Sequence, residues 1–159
     1  MAERYAQVPS DRSGGWWFVD VENSWIYHRN NAGYRCRHYR TCPVRLRRIN
    51  GFWCTDQVHT HANEYVDICN AKLVNEMKTV VAMRPGDMHE IFTEIRNRSH
   101  PDATVTYVSI YSTLQSIRRR IEPPIPESMD VLAQVLLDNP FYRSDFNSNL
   151  FVCVRVTTI

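Results

Sequence analysis

At 159 residues, with 43% hydrophobic and 11% aromatic side chains, the chain is long enough for one ordinary domain or a small module with a helical companion. That composition excludes a disordered protein, and no apolar run reaches the roughly 18 residues needed to cross a bilayer. The net charge of +2 is bland, but its distribution is not: no acidic residue lies between Glu22 and Asp56, whereas Arg29, Arg35, Arg37, Arg40, Arg45, Arg47 and Arg48 all do.

In chain order, residues 1–15 are polar, end in Ser13-Gly14-Gly15, and read as a flexible N-terminus. From 16 to 63, short aromatic and β-branched runs alternate with turn residues. Strands are expected at Trp16–Val19, Trp25–Tyr27, Gly33–Tyr39, Pro43–Ile49 and Phe52–Val58. Asn30-Asn31-Ala32-Gly33 and Asn50-Gly51 supply turns, the second a strong hairpin signal. The alternation of Val44, Arg45, Leu46 and Arg47 slips at Arg48, which predicts a bulge there.

After His61 the apolar spacing changes to three and four. Val66, Cys69, Leu73, Met77, Val80 and Val81 predict a helix over about 64–83, stopped by Pro85-Gly86. Asp87 with Glu90 opens a second helix to about Arg96. A third covers roughly 107–121, with Ile110, Leu114, Ile117 and Ile121 inward; Arg118, Arg119 and Arg120 read as a helix end or an import patch. Ser128 caps a fourth to about Asp138, and Leu150–Val156 alternates as a C-terminal strand. The fold class expected is α+β, a small antiparallel sheet module followed by a helical segment over 64–159.

The opening Met1-Ala2-Glu3-Arg4 lacks the apolar core of a secretory signal, so a reducing compartment is expected for Cys36, Cys42, Cys54, Cys69 and Cys153. There, thiols near histidines read as metal ligands, and an odd number leaves one over. In an extended strand, His59-x-His61 aims both imidazoles to one side. Cys36 and Cys42, five residues between them, fit adjacent strand ends joined by a tight turn. Two thiolates and two imidazoles meet the tetrahedral demand of structural zinc and leave no open position for catalysis. Cys54 is the rival sulfur, although its place in a strand makes it core-facing; Cys69 and Cys153 read as ordinary apolar positions.

Phe18-Val19-Asp20, Trp25-Ile26-Tyr27, Tyr34-x-Cys36, Cys42 and His59-x-His61 together resemble the FLYWCH-type zinc finger, a relative of the WRKY fold. Tyr34 stands where that family usually has tryptophan. Leu114–Met129 and Phe141–Val154 look like the region that follows such a finger in Mutator-like (MULE) transposases and their domesticated derivatives, where a catalytic domain comes next. The resemblance implies a WRKY-like sheet closed by zinc at Cys36, Cys42, His59 and His61, DNA as partner, a transposon origin and a nuclear location.

The residues themselves point to nucleic acid through Arg35, Arg37, Arg40, Arg45, Arg47 and Arg48, with Tyr39 interleaved to stack or to bond phosphate. The carboxylates are scattered, and no Gly-rich phosphate loop or nucleophile elbow occurs, so neither an enzyme nor a small-molecule substrate is expected. The alternative is a protein-interaction adaptor, with the zinc module as scaffold and the helices as the contact surface.

Overall fold

A computed structural model describes residues 4–10, 14–31, 33–55, 57–121 and 127–138. Six strands form one antiparallel sheet in sequence order: β1 (Tyr5–Pro9), β2 (Trp16–Asp20), β3 (Trp25–Asn30), β4 (Gly33–Cys36), β5 (Arg45–Ile49) and β6 (Phe52–Thr55). Helices α1 (Tyr65–Met83), α2 (Met88–Ser99), α3 (Tyr107–Ile121) and α4 (Met129–Asp138) follow, giving the expected α+β order. The expected strand at Leu150–Val156 lies outside the described residues.

Part of the expected flexible N-terminus is a strand. Residues Tyr5 to Pro9 pair with β2 from Tyr5↔Asp20 to Pro9↔Trp16. Its two buried side chains, Tyr5 and Val8, leave opposite faces, so the segment carries no apolar stripe to reveal it. The expected bulge at Arg48 is also absent, because β5 and β6 pair without interruption from Leu46↔Thr55 to Ile49↔Phe52. Their connection does follow from sequence: Asn50 (φ 50°) and Gly51 (φ 87°) occupy the left-handed region required at both centres of a tight hairpin turn. At Gly33 (φ 139°) a Cβ would meet the Leu46 carbonyl oxygen at 3.0 Å, so β5 approaches where only glycine fits.

The pleat sorts side chains to two faces. On one, Tyr5, Tyr27, Cys36 and Leu46 are buried, with Phe18, Trp25, Tyr34 and Trp53 packed against them. The Phe18 and Tyr34 rings stack with centroids 4.4 Å apart, and Trp53 meets both edge-on at 5.2 and 5.3 Å. On the other, Val8, Trp17, Val19 and Ile26 from β1–β3 are covered by Ile68 and Ala71 of α1. The β2–β3 turn is organised by Asp20, which is 1% exposed. Its carboxylate accepts bonds from Arg4 Nη2 (2.9 Å), the backbone amides of Glu22 and Asn23, and the Asn23 side chain. Burial opposes ionisation of this carboxyl, but the bonds from Arg4 and Asn23 prevail and hold its pKa below the ordinary value.

The described residues of Met1–Asn75 with Arg98–Thr104 form one compact unit, and those of Glu76–Asn97 with those from Val105 to Asp138 form a second. The first half of α1 therefore belongs with the sheet, past residue 63. In the second unit Asp87 Oδ1 caps α2 by accepting the His89 and Glu90 amides at 2.7 and 2.9 Å. On α3, Ile110 and Leu114 are buried as expected, but Ile121 is exposed and Arg118 is buried. The Arg118 guanidinium donates to the carbonyls of Arg84 and Gly86, just past the end of α1. Among the described residues no helix is long and apolar enough to cross a membrane.

Asp20→Ala removes a charged acceptor serving several donors, so it should lower the unfolding free energy by about 3 kcal/mol. Urea denaturation of the metal-loaded chain checks this through the midpoint at unchanged slope.

Candidate metal centre

Cys36 closes β4 and faces the aromatic side of the sheet, fully buried. Residues 37–41 then turn tightly, with the Thr41 and Cys42 amides both donating to the His38 carbonyl at 2.9 and 2.8 Å. The turn brings Cys42, also buried, back beside Cys36. His59 and His61 were expected at the end of a strand, but β6 stops at Thr55 and both lie in the irregular segment before α1. Their rings converge nonetheless. One ligand atom from each of Cys36, Cys42, His59 and His61 lies within 4.8 Å of all the others, a set able to hold a metal ion.

The ring atoms facing the cluster are His59 Nδ1 and His61 Nε2, 3.2 Å apart. Cys36 Sγ is 3.0 Å from the His61 nitrogen, and Cys42 Sγ is 3.5 Å from that of His59. Each remaining ring nitrogen has its own partner: His59 Nε2 lies 3.0 Å from the Tyr27 hydroxyl, and His61 Nδ1 lies 2.7 Å from the Ala62 carbonyl oxygen. Such outer bonds fix the tautomer and orientation of metal-ligating imidazoles. Trp25 holds the His59 ring by stacking at 4.2 Å. The His38 amide donates to Cys36 Sγ at 3.3 Å.

The acid–base balance suits a cation. Burial, reinforced by the neighbouring charge of His61, pushes His59 down to about 4, so its imidazole is neutral at physiological pH. Burial pushes the Cys36 thiol up to about 12. Burial also works against the Cys42 thiolate, but the amides of Thr60 and Val44 outweigh it and hold its pKa below the ordinary value. Without metal, one sulfur keeps its proton; a bound cation would displace it.

Cys54 is not part of the cluster. It pairs across from Arg47, is exposed rather than core-facing, and lies on the opposite side of the sheet from Cys36. Sequence reasoning missed Tyr27, Trp25 and Glu64. Glu64 is buried, accepts the Ile26 amide through Oε2 at 2.9 Å, and places Oε1 3.2 Å from His38 Nε2. His38, His61 and Glu64 form a second grouping of metal-capable side chains, but it shares His61 and so flanks the first.

The seven residues expected to touch nucleic acid divide. Arg35 and Arg45 are direct cross-strand partners, and Arg47 follows two residues on, so these three share one face. Tyr39 joins them, its ring 3.7 Å beneath the Arg35 guanidinium. Arg40 is exposed in the turn. Arg48 leaves the opposite face and donates to the Gly51 carbonyl. Arg37 is drawn away to Asp67 at 2.8 Å and over the Trp17 ring.

Tyr27→Phe should weaken metal binding by about ten- to a hundredfold while leaving the sheet folded, as measured by competition with a chromophoric chelator. No family model matches the chain, and no solved structure matches it.

Proposed function

We propose that the chain is a zinc-dependent nucleic-acid-binding protein, in which the ion holds an arginine-bearing sheet face in shape. The metal is assigned as zinc because two sulfurs and two imidazole nitrogens suit its borderline-soft, tetrahedral preference. The four ligands leave no open position, so the ion is structural and the protein is not an enzyme. The observation that carries the reading is the change of chemistry along one sheet face. Where α1 covers it the residues are Val8, Trp17, Val19 and Ile26; beyond, the same face presents Arg35, Arg45 and Arg47. No acidic residue is interleaved among the described positions of β4–β6. Three guanidiniums in this register, with Arg40 beside them, form a surface for phosphate. The order Cys-x5-Cys-x16-His-x-His on an antiparallel sheet supports the FLYWCH-type reading. With it go DNA as target, a nuclear location and descent from a Mutator-like transposon.

Binding that neutralises about four phosphates should show log K falling against log salt with a slope between about −2.8 for a single strand and −3.6 for a duplex. Arg45→Ala with Arg47→Ala should weaken binding and roughly halve the slope in anisotropy titrations at several salt concentrations. Arg48→Ala, on the other face, should change little. A zinc-loaded, folded chain that binds no polynucleotide would replace this reading with the protein-interaction adaptor.

A further inference from the structure

The arginine face carries an apolar element that phosphate binding leaves unused. Ile49 and Phe52 are direct partners at the tip of the β5–β6 hairpin, 54% and 74% exposed. Register places both on the side of Arg45, Arg47 and Arg35. A single exposed apolar residue is ordinary on a protein surface. Here a cross-strand pair sits at a fixed turn, about two residue rises (roughly 6.7 Å) along the strand from Arg47. At the other end of the patch the Arg35 guanidinium carbon sits 3.7 Å over the ring of Tyr39, itself 47% exposed.

We infer that this face binds single-stranded nucleic acid, with Phe52 stacking on an unpaired base while Arg45 and Arg47 hold the flanking phosphates. The inference rests on the nucleic-acid reading above and specifies its ligand. A duplex offers a protein phosphates and groove edges, but its base faces are already covered by their neighbours. An aromatic ring standing out from a basic sheet finds its complement only where a base face is open. A partner protein with an apolar pocket would also cover Phe52 and Ile49, but the surrounding guanidiniums would then be desolvated against uncharged surface. A polyanion with planar bases satisfies both parts of the patch.

The test uses the full, zinc-loaded chain and labelled oligonucleotides: dT12, U12, and a 12-base-pair duplex of mixed sequence. Anisotropy at about 100 mM salt should show dT12 or U12 bound at least about tenfold more tightly than the duplex, and the two single strands distinguish DNA from RNA as the source. Phe52→Ala should weaken single-strand binding by about five- to a hundredfold without altering the salt slope, since no charge is removed. Phe52→Trp should restore it. Zinc content equal to that of the unaltered chain shows that each variant is folded. A duplex bound as tightly as the single strands, or Phe52→Ala without effect on them, overturns this inference and leaves the broader reading standing. Failure to bind any of the three probes overturns both.

Discussion

The arrangement turns on the convergence of Cys36, Cys42, His59 and His61. Two of these residues lie in or just beyond the middle of the sheet and two follow its last strand, so a shared ion would tie the end of the module back to its centre. Among the described residues, the buried α1 side chains Ile68 and Ala71 pack against β1–β3. A structural zinc contributes about 10–16 kcal/mol to the folding of small modules, against net domain stabilities of about 5–15 kcal/mol. A cross-link of that size would allow one sheet face to stay polar and open.

The same sheet therefore has two uses for one face. Near its N-terminal edge the pleat presents valine, isoleucine and tryptophan to α1; past β3 the identical register presents arginine. The opposite face buries an aromatic cluster around Phe18, Tyr34 and Trp53 that continues into Trp25 and Tyr27 beside the histidines. The buried aromatics and the Cys/His cluster are thus parts of one layer, and a substitution at Tyr27 would reach a metal held there through the His59 ring.

Much of this was legible in the sequence because it is periodic or local. Helical spacing located α1 and α3, and Asn50-Gly51 marked the tight hairpin. The pairing of two close cysteines with His-x-His identified the cluster. What failed was non-local or depended on register. β1 has one buried residue on each side, Tyr5 and Val8, and no buried stripe. Cys54 was read as facing the core, and a one-residue ambiguity in a strand reverses the face. Arg118 was read with Arg119 and Arg120 as a helix end or an import patch, and its acceptors, the backbone carbonyls of Arg84 and Gly86, leave no trace in sequence. Arg37 was grouped with the other arginines, but Asp67 and Trp17 claim it across a fold that spacing does not reveal. The partners of the imidazoles, Tyr27 and the Ala62 carbonyl, are equally invisible until the chain is folded.

The most direct test is X-ray absorption at the zinc edge on protein purified without added metal or chelator. One ion per chain with two sulfur neighbours at about 2.3 Å and two imidazole nitrogens at about 2.0–2.1 Å is the expected result. A cooperatively folded sample without metal, or a metal surrounded only by nitrogen and oxygen, would contradict it.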